Sequence, residues 1–128
     1  MAGLEDVWRR YLALCNDRRL GELGEFVHDP LRFNGAVTSL ADYAGAIASN
    51  IAAVPDFRWE VEDLVATHDT VAVRLTDTGT PRGTWLGIGP TGRSFTTQEL
   101  AFYRFRGGKI AEMWFVLDDA AVRAQLAG

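Results

Sequence analysis

The stretch RSFTTQELAFYRFRGGKIAEMWFVLD, residues 93–118, decides the fold. Apolar and polar residues alternate on both sides of Gly107-Gly108. This pattern predicts two β-strands joined by a two-residue turn whose central residues need positive φ. With both glycines in the turn, Arg106 pairs with Lys109 and the two strands run antiparallel.

Extending this register gives the hairpin two different faces, because successive side chains point to opposite sides of a strand. One face is mixed and carries Thr97, Glu99, Ala101, Tyr103, Glu112, Trp114, Val116 and Asp118. The other is mostly apolar and carries Gln98, Leu100, Phe102, Met113, Phe115 and Leu117. We expect helices to roof the mixed face as a cavity and a second copy to cover the apolar face, as a homodimer or higher homo-oligomer. A slip of one residue in the turn would interchange the two faces.

The remainder of the chain predicts helices first and strands afterwards. Apolar residues at three- and four-residue spacing indicate a helix near the N-terminus. Ser39 with Asp42 forms an N-cap signal before a second apolar stripe that ends at Pro55. Alternation then predicts another hairpin around His68-Asp69. This order is typical of an α+β fold rather than of a parallel sheet.

The composition is that of an ordinary soluble domain. Of 128 residues, 48% are hydrophobic and the formal net charge is −4, so we expect a single domain over residues 1–128. There is no basic run typical of nucleic-acid binding and no apolar stretch of the roughly 18 residues that span a membrane, so we predict neither partner and expect a cytoplasmic protein. Cys15 is interpreted as a buried thiol. His28 and His68 lack metal-site spacing, so no metal is predicted.

Glu99 and Asp118 become diagonal neighbours on the mixed face in this register. Burial beneath Trp114 and Tyr103 would remove water from both carboxyls and raise their pKa values, which suits them to move a proton near neutral pH. We therefore name both as candidate catalytic residues. The alternative interpretation is a pair of solvated carboxylates, with Asp118 only capping the last helix.

Three stretches resemble the SnoaL-like polyketide (ester) cyclases, which belong to the nuclear-transport-factor-two superfamily. They are PDFRWEVEDLVATHDTVAVRLTDTGT (55–80), WLGIGPTGRSF (85–95) and FYRFRGGKIAEMWFVLDD (102–119). The resemblance implies a cone-shaped α+β barrel, in which a curved, mostly antiparallel sheet wraps around the N-terminal helices and encloses a deep pocket. It also implies an intramolecular aldol condensation that closes a ring of a small hydrophobic or aromatic substrate, without metal or cofactor.

The same resemblance assigns residues. Asp118 matches the family's acid/base aspartate at the end of the last strand, and Trp114 matches the aromatic residue packed beside it. Asn34 falls where many relatives carry a polar group at the pocket wall, so it is expected to hold an enolate oxygen while Asp118 moves the proton.

The glycine-rich stretch from Gly79 to Arg93 departs from the family pattern. Relatives commonly read Gly-Thr-His-x-Gly here, whereas this chain has Pro81 in place of the histidine. Arg82 adds a cation that can meet a carboxylate, phenolate or enolate. A strand rather than a helix follows the glycines, which argues against dinucleotide binding. The stretch is interpreted either as a lid or subunit contact that carries Trp85, or as a well-packed structural crossover.

The predicted substrate-binding set is completed by aromatic side chains: Tyr11, Tyr43, Trp59 and Tyr103. Three functions stay open at this point. The first is a cofactor-independent cyclase or isomerase with Asp118 as acid/base. The second is an epoxide-opening hydrolase or cyclase that uses Glu99 and Asp118 with Arg82 or Arg74. The third is a non-catalytic protein that binds a small apolar ligand.

Overall fold

The computed structural model describes residues 3–127. These residues form three α-helices: α1 (Leu4–Asn16), α2 (Leu40–Ala53) and α3 (Asp119–Ala127). They also form six strands: β1 (Val27–Phe33), β2 (Ala36–Thr38), β3 (Arg58–Ala66), β4 (Thr70–Gly79), β5 (Phe95–Arg106) and β6 (Lys109–Leu117). A 3₁₀-helix, Leu20–Glu25, leads into β1.

The strands form one sheet in the order β2-β1-β6-β5-β4-β3. All neighbours are antiparallel except β1 and β6, which run parallel. The helix-then-strand order and this sheet confirm the predicted α+β class. The curved sheet is not closed into a barrel.

Helices α1 and α2 pack on one face of the sheet, which we call the inner face, and they bury its apolar side chains. Helix α1 contacts β3 and β4, whereas α2 contacts β1. The core between them includes Trp8, Leu14, Leu31, Val71 and Ile110. Helix α2 begins as predicted, because the Ser39 side chain accepts a hydrogen bond from the Asp42 N–H at 3.0 Å. No helix among residues 3–127 is both long enough and apolar enough to cross a membrane.

The β5–β6 hairpin has the predicted turn but not the predicted register. Arg106 pairs with Lys109 and Phe105 with Ile110, yet Arg104 pairs with Glu112. A β-bulge therefore inserts Ala111 as an extra residue and reverses the side-chain direction for the rest of β6.

This reversal changes the composition of both faces. The prediction for β5 is confirmed, because Thr97, Glu99, Ala101 and Tyr103 are buried whereas Leu100 and Phe102 are exposed. The prediction for β6 is wrong. Met113, Phe115 and Leu117 lie on the inner face and line a cavity, while Trp114 and Val116 lie on the opposite, outer face.

Candidate active site

A cavity of about 330 Å³ lies between the inner face of the sheet, helices α1 and α2, and the loop after β4. Its wall is mainly aromatic and aliphatic. The apolar lining includes Leu12, Phe33, Ile47, Phe57, Trp59, Leu75, Trp85, Leu86, Met113, Phe115 and Leu117. The polar groups at the wall are few: Tyr11, Cys15, Tyr43, Asn50, Asp77, Glu99 and Tyr103. An apolar cavity with a few placed polar groups is the usual form of a small-molecule site.

Asp77 and Glu99 are brought together by the pairing of β4 with β5. Asp77 pairs with Thr97 and Leu75 pairs with Glu99, so the two acids are diagonal neighbours on the inner face. Asp77 is fully buried and Glu99 is only 9% exposed. Neither carboxyl oxygen of Asp77 has a hydrogen-bond partner among the described residues.

Burial decides the protonation of this pair. Loss of solvation, together with the nearby Glu99 carboxylate, raises the pKa of Asp77 to about 10. Burial also raises the pKa of Glu99. At neutral pH the pair therefore retains a proton, which we place on Asp77 because its carboxyl is the more deeply buried. Glu99, beside it, is then available as a base that faces the cavity.

The three tyrosines predicted to bind substrate all line the cavity. The hydroxyls of Tyr11 and Tyr43 are hydrogen-bonded to each other. Tyr103 packs edge-on against Tyr11, with ring centroids 5.8 Å apart. Burial raises the pKa values of all three hydroxyls. They are therefore neutral hydrogen-bond donors over the physiological pH range.

The loop after β4 contributes Trp85 and Leu86 to the cavity wall. Trp85 stacks on Phe95 with centroids 4.6 Å apart, and its indole N–H donates to the Asn50 side chain of α2. Leu86 and Gly87 have φ values of 53° and 77°, so a tight turn presents Leu86 to the cavity. Trp59, from β3, also lines it. The loop thus closes one side of the cavity, next to α2.

Asp118 and Trp114 do not reach the cavity, and their predicted inward position is wrong. The Asp118 side chain is exposed and accepts a hydrogen bond from the Ala121 N–H at 3.1 Å, which is the N-cap role that the sequence left as the alternative. Trp114 lies on the outer face, 44% exposed, and its N–H donates to Glu112. The bulge at Ala111 explains the outward position of Trp114, because it reverses the side-chain directions in that part of β6.

Asn34 and Arg82 also lie outside the cavity lining. The Asn34 side chain accepts a hydrogen bond at 2.8 Å from the N–H of Phe115 and so ties the end of β1 to β6. Arg82 is exposed, and its backbone N–H donates to the Ala53 carbonyl at the end of α2. Both residues therefore have structural contacts that account for their positions.

Asp77 is the site residue that the sequence analysis missed. Its signal was the alternation of β4, in which Val71, Val73, Leu75 and Gly79 are all buried and Asp77 shares their parity. An acid at an inward position of an amphipathic strand is costly unless it is paired or protonated. The inward parity of Asp77 within TDTG (76–79) therefore indicates a buried carboxyl. Among residues 3–127, no group of three or more His, Cys, Asp or Glu side chains is arranged to hold a metal ion.

Comparison with known proteins connects the chain to a family. The sequence model described as SnoaL-like polyketide cyclase matches residues 5–126. No curated protein matches the chain. Among solved structures, a SnoaL-like polyketide cyclase from Agrobacterium tumefaciens is 35% identical, with a TM-score of 0.92, and the match covers 98% of this chain and 99% of that one.

Two further structures are similar over most of their length. IdmH from Streptomyces antibioticus is 27% identical with a TM-score of 0.89, covering 99% of this chain and 100% of that chain. TsrD from Streptomyces laurentii is 27% identical with a TM-score of 0.86, covering 95% of this chain and 92% of that chain.

Proposed function

The chain belongs to the SnoaL-like polyketide cyclase family, and we propose that it is a cofactor-independent cyclase or isomerase acting on a small, largely apolar carbonyl compound of polyketide type. The observation that carries this proposal is the buried pair of Asp77 and Glu99 at the wall of an otherwise apolar cavity. It replaces Asp118, the acid/base residue inferred from sequence, because Asp118 lies outside the cavity lining.

In this mechanism, the Glu99 carboxylate removes a proton from a carbon next to a substrate carbonyl. The electron pair of the broken C–H bond forms an enolate, whose carbon attacks a second carbonyl of the same molecule and closes a ring. The alkoxide formed in that step takes a proton from the Asp77–Glu99 pair, so no atoms are gained or lost overall. A positioned general base of this kind contributes about 10²–10⁴ to the rate.

The setting of the pair supports this chemistry. A carboxylate in water is too weakly basic to remove a proton from carbon efficiently, whereas loss of solvation raises the pKa of Glu99 and makes it a stronger base. The aromatic wall also keeps water away from a reactive enolate and so limits side reactions. Asp77 supplies the proton that the alkoxide needs after ring closure.

The two alternatives have less support. Epoxide opening needs the carboxylate pair of Glu99 and Asp118 with Arg82 or Arg74 as a cation, and of these side chains only Glu99 lines the cavity. Arg74 instead hydrogen-bonds Gln98 and pairs with Asp63 on the outer face. Simple binding of an apolar ligand would leave the Asp77–Glu99 pair without a task, and the experiment below separates binding from catalysis.

Proton removal can be tested before the natural substrate is known. We expect the protein to accelerate exchange of the α-hydrogens of 2-tetralone, a bicyclic ketone, with deuterium from D₂O, as followed by proton NMR. Glu99→Gln should reduce the enzyme-dependent rate by about 10²–10⁴. Asp118→Asn, which retains a helix-capping side chain, should leave it unchanged. Full exchange activity in Glu99→Gln, or its loss in Asp118→Asn, would refute this assignment.

We also propose that a second copy of the chain covers the outer face of the sheet. Five large apolar residues there are 44–65% exposed: Val65, Leu100, Phe102, Trp114 and Val116. Asp63 and Arg74 lie beside them and carry opposite charges. A two-fold contact uses the same patch on both copies, so an apolar patch that carries both signs of charge is suited to pairing with itself.

A further inference from the structure

The hydroxyls of Tyr11 and Tyr43 form a polar pair on the helical side of the cavity. Tyr11 comes from α1 and Tyr43 from α2, and their hydroxyls are hydrogen-bonded to each other. Both side chains are buried, at 3% and 8% exposure, and both line the cavity. The pair therefore connects the two helices at the surface that a ligand would meet.

Counting protons shows that this pair can still donate. Two hydroxyls carry two protons, and the bond between them uses one. The second proton has no oxygen or nitrogen acceptor among the described residues. Cys15 lies nearby, but its thiol is a weak acceptor, and burial raises its pKa to about 12, so it is not a thiolate at neutral pH. The unused proton is therefore free for a ligand oxygen.

The donor faces the same space as the base. Glu99 lines the same cavity, and its charge contributes to the raised pKa values of Tyr43 and Tyr103. An enolate needs this combination, since a base must reach the α-carbon while a donor holds the carbonyl oxygen on which charge develops. A hydroxyl that already accepts one hydrogen bond also donates more strongly, because linked hydrogen bonds polarise one another.

We propose that the Tyr11–Tyr43 pair is the oxyanion site of this protein. One hydroxyl donates to the substrate's carbonyl oxygen, and the other supports it. As Glu99 takes the α-proton, the C–H electron pair becomes the C=C bond of the enolate and the π pair of the carbonyl moves onto the oxygen that the tyrosine holds. Ring closure at the α-carbon restores this carbonyl. The inference rests on the proposed acid/base function. It adds the residues that stabilise the negative charge on the substrate oxygen.

The test uses a ligand that resembles the enolate and needs no turnover. The probe is p-nitrophenol, whose phenolate is coloured and whose ionised oxygen stands in for the enolate oxygen. Binding is measured in the Glu99→Gln protein. Once Glu99 has taken the α-proton from the substrate its side chain is neutral, and glutamine mimics that neutral side chain. The phenolate affinity of this protein is then compared with the phenolate affinity of the double variants that carry Tyr11→Phe or Tyr43→Phe in addition to Glu99→Gln.

We expect either added substitution to weaken phenolate binding about 10- to 100-fold, as loss of a hydrogen bond to a charged group predicts. The pKa of the bound phenol should rise by a corresponding one to two units. Binding of naphthalene, which needs no donor, should change little in both variants and serves as the control for an intact cavity. Asp118→Asn, which lies outside the cavity lining, should leave phenolate binding unchanged.

Equal phenolate affinity with and without either tyrosine hydroxyl, in variants that still bind naphthalene, would overturn the oxyanion assignment. Loss of phenolate affinity on Cys15→Ala alone would overturn it in favour of the thiol. These outcomes can be distinguished from a failure of the proposed function. That proposal fails instead if Glu99→Gln keeps its α-proton exchange, whatever the phenol measurements give.

Discussion

Asp77 is the residue on which the electrostatics of the cavity depend. Its carboxyl is fully buried without a hydrogen-bond partner among the described residues, and Glu99 is its neighbour on β5. Keeping the charged form there is unfavourable, so the folded protein holds a proton that the unfolded chain gives up. This difference links protein stability to pH.

The sign of this link follows from the two pKa values of Asp77. The pKa is about 10 in the folded protein and near 3.8 in an unperturbed aspartate. Between these values the folded state binds the extra proton, so this contribution is fully present below about pH 4 and is lost as pH rises towards about 10. The free energy of unfolding should therefore fall with rising pH by up to about 1.4 kcal/mol per unit.

Asp77→Asn should remove this dependence, because an amide does not ionise. Urea unfolding at a series of pH values between about 5 and 9 would measure the slope in both proteins. We expect a clearly smaller slope in the variant and, towards the alkaline end, higher stability than in the natural chain. Asp118→Asn, with its exposed carboxyl, is the matched control and should keep the natural slope. Parallel slopes in the natural chain and Asp77→Asn would contradict a proton held at Asp77.

Among individual residues, sequence reasoning succeeded where a local pattern determines the contact. Ser39 with Asp42 predicted the start of α2 because a cap depends on four consecutive residues. Glu99 was placed inward because β5 alternates without interruption. The assignment of Asp118 as a catalytic acid is wrong. An aspartate at the end of a strand can be either a helix cap or a catalytic acid, and only the surrounding fold distinguishes the two.

At the scale of elements, the bulge in β6 separates what could be predicted from what could not. The turn at Gly107-Gly108 has positive φ at both residues, 59° and 82°, as its sequence requires. Ala111 carries no such signal, since the bulge does not need a glycine. One extra residue nevertheless reverses the sides of Met113 and Trp114, because the side-chain period of a strand is two.

The register of β6 also decides whether Asp118 lies next to Glu99. The straight register placed Asp118 next to Glu99, whereas the observed register pairs Glu99 with Leu117 and leaves β4 to provide Asp77. The existence of the strands was therefore predictable from alternation, but the composition of the site was not. It required the pairing of β4 with β5, which lie far apart in sequence.

At the scale of the whole molecule, the sheet has one covered and one uncovered apolar face. Helices α1 and α2 cover the inner face and leave the cavity between them and the sheet. The outer face bears a shallow groove of about 640 Å³ bounded by β3, β4, β5 and β6. Contiguous exposed apolar surface of this kind marks an interaction site, which supports the proposed pairing of two copies.

We expect Phe102→Asp to weaken that pairing. Phe102 is 56% exposed near the middle of the outer face, and a charge there would lose its hydration in the dimer. Loss of such a central aromatic residue costs about 2 kcal/mol or more, which is about 30-fold or more in the dimer dissociation constant. Sedimentation equilibrium measures the dimer dissociation constant, with Ala13→Asp on the exposed side of α1 as the control. A natural chain that stays monomeric at high micromolar concentration would contradict the proposal.

The central claim is that a carboxyl pair inside a mainly apolar cavity keeps a proton at neutral pH and so can act as acid and base. The most direct measurement is an NMR titration of the side-chain carboxyl carbons in protein labelled with ¹³C at aspartate and glutamate. We predict one aspartate signal that remains at the position of a neutral acid at pH 7, moves only as the pH approaches about 10, and is missing from Asp77→Asn. Full ionisation of every aspartate and glutamate below about pH 6 would contradict the account.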